Sequence, residues 1–216
     1  VVVGILIALQ INNWNGNRKQ NAIKQNYYRQ LLLDLETDKI YCNSSISTLN
    51  SFLSEYNHYL EIYKVPGLNV SKAFEGLSKL NYTRLNLEFK TATIKTLIST
   101  GDIKLISPSL RNQLTAFVAS QIHVANRSKT LNDFGGSILS TVVIKGGNPD
   151  LLMRLQNQPE LRKTFGIEQN LPTITLRLEG FYFSREYGAK ASINGLSDLS
   201  EEADAIIELI NKELEY

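Results

Sequence analysis

The sequence predicts an all-α fold in which an N-terminal transmembrane helix runs into a long antiparallel helical bundle. Three observations support this prediction. Residues 1–15 form a nearly uninterrupted aliphatic run that ends in a polar segment containing a tryptophan. Residues 17–64 contain neither proline nor glycine, and apolar residues recur there at the alternating three- and four-residue spacing of packed helices. A second helical pattern of apolar residues follows Ser107 and Pro108.

The opening run has the character of a helix that leaves a bilayer. A transmembrane helix needs about 20 apolar residues, and this run supplies roughly half of them. We therefore expect residues 1–15 to be the C-terminal half of a transmembrane helix, with Trp14 as the interfacial anchor of a polar collar. Residues 16–216 then form an extramembrane helical bundle domain. The alternative is an apolar segment buried inside a soluble domain.

Small and polar residues within this run predict helix pairing in the membrane. Gly4 and Ala8 are four residues apart, so they form a ridge that lets a second helix approach closely. Gln10 and Asn13 could hydrogen-bond across the same contact, because polar side chains at membrane depth favour partners. The preferred partner is a second copy of the chain.

The first long helix of the bundle is predicted from its apolar seam. A narrow stripe of this spacing is typical of a helix that packs lengthwise against a partner. The seam includes Leu32, Leu35, Ile46, Leu49, Leu53, Tyr56 and Leu60. Weak helix formers at positions 12–17 leave two alternatives open, a continuous helix from the membrane segment or a hinge.

Turn and capping residues divide the rest of the chain. Residues 65–67 end the first helix, and short helices are expected at 71–80 and 87–100, the second closed by Gly101. Ser107 and Pro108 begin a second long helix, which we expect to lie antiparallel to the first. Gly135 and Gly136 are interpreted as a packing or kink site in that helix.

The last third of the chain is also predicted to be helical. Residues 146–149 form a break, and short helices are expected from Pro149 and Pro159. Residues 174–178 alternate like a strand but lack a convincing partner, so a helix is expected there. Asp198 with Glu201 has capping-box spacing and predicts the start of a terminal helix that packs back on the bundle.

Composition and motifs argue against nucleic-acid binding and catalysis. The net charge is only +2, and no basic run is interleaved with aromatic residues. Glu55 and His58 match one half of a di-iron helix motif, but His123 has Ser120 where the second half needs glutamate. Cys42 is expected to be a small core residue. With no nucleophile, phosphate or dinucleotide motif present, we expect no enzyme, no metal and no cofactor.

Three stretches of the chain resemble an uncharacterised family of bacterial single-pass membrane proteins, known only as a domain of unknown function. These are VVGILIALQINNWN at 2–15, LISTGDIKLIS at 97–107 and IIELINKEL at 206–214. The resemblance implies a cytoplasmic start and a periplasmic helical domain, and it implies no activity or cofactor. Members of the family usually carry a basic segment before the membrane helix, whereas the sequence here opens with the apolar run itself. Arg18 and Lys19 after it would, taken alone, indicate the cytoplasmic side.

The predicted function is that of a membrane-anchored helical interaction or scaffold protein. Its expected partners are the lipid bilayer and either a second copy or a protein of a membrane complex, in the bacterial inner membrane. The alternative is a periplasmic sensor or small-molecule-binding domain, since helical bundles can hold ligands between helices. In that case tyrosines together with Arg127, Arg177 and Arg185 would furnish the pocket.

Overall fold

The computed structural model describes residues 2–146 and 149–214, and these ranges contain helices but no strand, which confirms the all-α prediction. None of the helices in these ranges has the length and apolar character needed to cross a membrane. Residues 174–178 are helical, as predicted. The α-helices are α1 (Val2–Leu60), α2 (Val70–Lys79), α3 (Ala92–Thr100), α4 (Pro108–Ile144), α5 (Pro149–Arg154), α6 (Pro159–Thr164) and α7 (Ile167–Leu214). Short 3-10 helices follow α1 at Glu61–Lys64 and α3 at Asp102–Leu105.

Local capping contacts set several of these boundaries. Gly101 ends α3 in the left-handed conformation, with φ of 76°, as its predicted role requires. The Ser107 hydroxyl accepts a hydrogen bond of 3.3 Å from the Leu110 N–H at the start of α4. The Asn69 side chain accepts a bond of 3.0 Å from the Lys72 N–H at the start of α2. These ends are therefore fixed by residues adjacent in sequence.

At two other positions where the sequence allowed a break in a helix, the helix is continuous. α1 runs through positions 12–17 without a hinge, and α4 continues past Gly135 and Gly136. The prediction that a terminal helix starts at Asp198 is wrong, because Asp198 lies inside α7. Buried Leu196 and Leu199 flank it and hold the helix in place there. The predicted break at 146–149 includes positions 147 and 148, which lie outside the described residues.

The chain divides into two compact units. The first takes its described residues from 1–43, 88–123 and 197–216, and the second from 44–87 and 124–196. Each unit thus contains segments of α1, α4 and α7. The predicted boundary after residue 15 falls inside α1 and stays a prediction.

In the first unit, α1 and α7 run antiparallel. Lys39 Nζ on α1 lies 2.6 Å from Asp204 Oδ1 on α7. Tyr28, which comes earlier on α1, donates its hydroxyl to Glu213, which comes later on α7. The C-terminal helix therefore packs back along the first helix. Its predicted apolar stripe is buried at Leu199, Ala203, Ile206 and Ile210.

The direction of α4 differs from the prediction. Ser107 at the start of α4 donates to Glu213, the same carboxylate that binds Tyr28. Further along both helices, Gln121 Nε2 donates to Asp38 Oδ2 over 2.6 Å. α4 is therefore parallel to α1, and the antiparallel prediction is wrong. The connection between the two helices is long and carries α2 and α3, so it allows the parallel return that a short loop forbids.

The second unit has an aromatic core. The Tyr182 ring centroid lies 5.8 Å from that of Tyr56 and 6.5 Å from that of Phe52. The Tyr182 hydroxyl donates to the carbonyl oxygens of Leu77 and Leu80 over 3.2 and 3.1 Å. These bonds attach the end of α2, and the extended segment after it, to α7. The core is completed by Tyr59, Val142, Ile174, Leu178, Phe181 and Ala189.

Candidate functional site

The first turns of α1 form the candidate interaction site, because apolar side chains surround the helix there without being covered. The eight large apolar residues between positions 2 and 14 are each at least 52% exposed. They are Val2, Val3, Ile5, Leu6, Ile7, Leu9, Ile11 and Trp14. Contiguous exposed apolar surface of this kind marks a contact with a membrane or another protein.

The residues predicted to pair helices lie open on this segment. Gly4, Ala8, Gln10 and Asn13 are all exposed. A Cβ placed on Gly4 would meet none of the described neighbouring atoms within 4 Å. Gly4 and Ala8 share one helix face because they are four residues apart. The ridge is thus accessible to a second helix, and the pairing itself stays a prediction.

Aromatic and basic side chains follow the apolar turns. The Arg18 guanidinium carbon lies 5.8 Å from the centroid of the exposed Trp14 ring, and Lys24 Nζ lies 5.6 Å from that of Tyr28. Lys19 is also exposed. Tryptophan rings favour the boundary between lipid and water, and cations there attract anionic headgroups. The exposed apolar turns of α1 are therefore followed directly by an aromatic ring and basic side chains.

The predicted seam of α1 packs inside the units to which it belongs. Leu35 and Tyr56 are buried, whereas five members are partly exposed: Leu32, Ile46, Leu49, Leu53 and Leu60. The residue preceding four of these five is buried instead: Leu31, Ser45, Phe52 and Tyr59. The buried stripe keeps the predicted spacing but is displaced by one residue at alternate turns. Its buried face contacts the chain's own helices and is not free for a second copy.

The described residues contain no cluster of metal-ligating side chains. Among them, no three His, Cys, Asp or Glu residues are grouped to hold a metal ion. Cys42 is buried, and burial raises the pKa of its thiol to about 11, so the thiol stays protonated at neutral pH. This placement agrees with its predicted core role.

A cavity of about 420 Å³ opens in the second unit. It lies among α1, α4, α7 and the extended segment that follows α2. Its buried lining residues include three with small side chains, namely Ser128 on α4 with Ala189 and Ser192 on α7. Glu55 on α1 lines its exposed side. Of the three arginines predicted for a pocket, Arg185 lines this one, whereas Arg127 and Arg177 are not among its lining residues.

Arg185 fixes one wall of the cavity. Its guanidinium donates hydrogen bonds to the carbonyl oxygen of Asn81 and, over 2.6 Å, to that of Thr83. Its guanidinium carbon also lies 3.7 Å from the centroid of the buried Phe52 ring. Burial lowers the pKa of Arg185, yet a guanidinium remains charged at neutral pH. The residue therefore places a positive charge beside the cavity.

Arg84 provides a second positive charge on the same extended segment. Its Nη1 donates to the Asn132 carbonyl oxygen over 2.8 Å, and the Asn132 side chain donates to the Leu85 carbonyl oxygen over 2.7 Å. The Arg84 guanidinium rests against Gly136, where a Cβ would overlap it. The glycine pair is thus a packing site. The sequence had singled out this glycine pair and Arg185, whereas Arg84, Ser128 and Ser192 were not predicted.

Comparison with family models, curated protein sequences and solved structures finds no match to this chain. The resemblance of its opening run to an uncharacterised bacterial membrane-protein family therefore stays a prediction.

Proposed function

We propose that this protein is a membrane-anchored helical interaction or scaffold protein that works as an oligomer or as a subunit of a membrane complex. The observation that supports this proposal is the exposed, apolar start of α1. Fully burying a large aliphatic side chain stabilises a protein by about 1.5–3 kcal/mol. Seven such side chains, together with the Trp14 ring, left in water would favour association with any surface that covers them.

A bilayer suits this segment better than a groove on another protein. A groove covers one face of a helix, whereas the apolar residues at 2–11 occupy every face of α1. Lipid surrounds a helix completely, which suits a helix that is apolar all round. Trp14 and the basic residues after it then lie at the headgroup level. Following the family resemblance, we place the apolar segment in a bacterial inner membrane and the bundle in the periplasm.

Vesicle flotation tests the anchor. We expect the full chain to float with vesicles of phosphatidylethanolamine and phosphatidylglycerol, and Ile5→Glu combined with Leu9→Glu to remain unbound. The matched control combines Leu33→Glu with Ile40→Glu, since both residues are 69% exposed on the same helix. This control should float like the wild type. Equal flotation of the two double variants would contradict the proposal.

Cysteine crosslinking tests the pairing face. Gly4→Cys should form a disulfide-linked dimer in membranes under mild oxidation. Leu6→Cys is the control, because residue 6 lies about 200° around the helix from residue 4 and points away from the ridge. Cys42 is buried and should not contribute. Crosslinking in intact cells followed by mass spectrometry would identify a different partner and report on which side of the membrane the bundle lies. Equal dimer yields from the two variants would argue against a Gly4 and Ala8 interface.

A further inference from the structure

We infer that the cavity of the second unit is a binding site for a small organic acid that carries hydroxyl groups, such as a sugar acid. This inference goes beyond the proposed anchoring role, because it assigns a ligand to the extramembrane part of the chain. Three features of the cavity support it: unpartnered hydroxyls in its lining, the balance of charge around it, and its volume.

The buried serines of the lining lack hydrogen-bond partners. Ser128 is 5% exposed and Ser192 is 8% exposed. Within the described ranges, neither hydroxyl is hydrogen-bonded. Elsewhere in this unit, Ser78 and Thr130 donate to a carbonyl of the preceding helical turn over 2.9 and 3.0 Å. Both serines line the cavity, so their hydroxyls are available to hydrogen-bond with oxygen atoms of a bound ligand.

The charges that line the cavity leave an excess of one positive charge. Arg84 and Arg185 are cations and Glu55 is the carboxylate that opposes them. A single carboxylate on the ligand would balance this excess. Guanidinium groups suit carboxylates because their N–H donors match the two oxygens. Each arginine has five N–H donors, and the protein carbonyls that they contact leave several of them available. Glu55 can accept a hydrogen bond from a ligand hydroxyl.

The volume restricts the ligand to a small molecule. Ligand pockets typically span about 300–1,000 Å³, and this cavity of about 420 Å³ lies near the lower end of that range. At about 30 Å³ per water molecule, it corresponds to about fourteen waters. A hydroxy acid of three to six carbon atoms fits this space, with its carboxylate toward the arginines and its hydroxyls toward the serines.

Isothermal titration calorimetry of the full chain tests this assignment, with D-glycerate and D-gluconate as probes. We expect saturable binding of at least one of them with one site per chain. D-Glucose has a similar size and hydroxyl content to gluconate but no charge. It should bind about tenfold more weakly or worse, because hydrogen bonds to charged groups are the stronger ones.

Three variants locate the site. Ser192→Leu places a larger side chain at a buried position of the lining and should abolish binding of both acids. Arg84→Gln removes an exposed cation from the lining and should weaken binding about tenfold or more. Arg127→Gln makes the same change of charge in the same unit but outside the lining, so it should bind like the wild type. If Ser192→Leu fails to fold by circular dichroism, the comparison of the two arginine variants still decides the question.

The inference is overturned if neither acid binds saturably, if glucose binds as tightly as gluconate, or if Arg84→Gln and Arg127→Gln bind equally well. Vesicle flotation by the same variants should be unchanged, so failure of this inference is distinguishable from failure of the proposed anchor.

Discussion

Two glycines of α7 should respond differently to substitution by alanine. A Cβ placed on Gly180 would meet no described neighbouring atom within 4 Å. A Cβ placed on Gly195 would lie 2.9 and 3.2 Å from the two methyl carbons of Val124 on α4. Both glycines lie in the interior of the same helix and in the same unit. Their difference therefore isolates the close approach of α4 to α7.

The magnitudes follow from helix propensity and packing. Replacing glycine with alanine in a helix interior stabilises it by about 0.8–1.0 kcal/mol. Gly180→Ala should raise the free energy of unfolding by this full amount. At Gly195 the same gain is opposed by overpacking against Val124, which costs about 1–3 kcal/mol. Gly195→Ala should therefore range from no net change to a loss of about 2 kcal/mol in the free energy of unfolding.

Thermal unfolding followed by circular dichroism measures the difference. For a chain of this size, about 1 kcal/mol shifts the Tm by roughly 2–4 °C. Gly180→Ala should raise the Tm by that amount, and Gly195→Ala should leave it unchanged or lower it. The control is Val124→Ala, in whose background Gly195→Ala should regain the propensity benefit. If Gly195→Ala raises the Tm as much as Gly180→Ala, the close contact between Gly195 on α7 and Val124 on α4 is refuted.

Three further predictions concern buried polar groups. Burial raises the pKa of Asp38 above its ordinary value of 3.8, so the wild type loses stability as the pH rises through that raised pKa. Asp38→Asn should therefore raise the urea midpoint more at pH 7 than at pH 3. A greater rise at pH 3 would show that the carboxylate of Asp38 does not destabilise the fold at neutral pH. Tyr182→Phe removes the donor to the two carbonyl oxygens at the end of α2 and should cost about 0.5–1.5 kcal/mol in urea unfolding. An unchanged midpoint would show that those bonds are not formed. The buried Cys42 thiol, with its pKa raised to about 11, should react with a thiol reagent far more slowly in native than in urea-unfolded protein. Equal rates would place it at the surface.

Helix boundaries were predictable where a local contact sets them. Gly101 and the Ser107–Pro108 pair act within one turn of their own position, so their roles could be assigned from adjacent residues. Asp198 has an equally good local signal but lies inside α7. The buried leucines on either side of it outweigh a local capping preference.

The helix face that becomes buried was predicted only in part. The alternating three- and four-residue spacing predicted for α1 was correct. However, the pattern of apolar residues favoured Leu32 and Ile46, whereas the buried residues are Leu31 and Ser45. A polar residue is a poor candidate for a core when read alone. Asp38 is buried nevertheless, because Gln121 on another helix donates a hydrogen bond to its carboxylate. Such a partner cannot be identified from spacing within one helix.

The sequence by itself determined the helical class, several helix ends and the apolar character of the first turns, because these depend on residues close together along the chain. Only the tertiary structure decided the parallel course of α4, the continuity of α7 and the cavity lined by Arg84, Arg185, Ser128 and Ser192. Those features bring together residues far apart in sequence. The contacts between those residues depend on the course of the long connection between α1 and α4. Neither helical periodicity nor composition specifies that course.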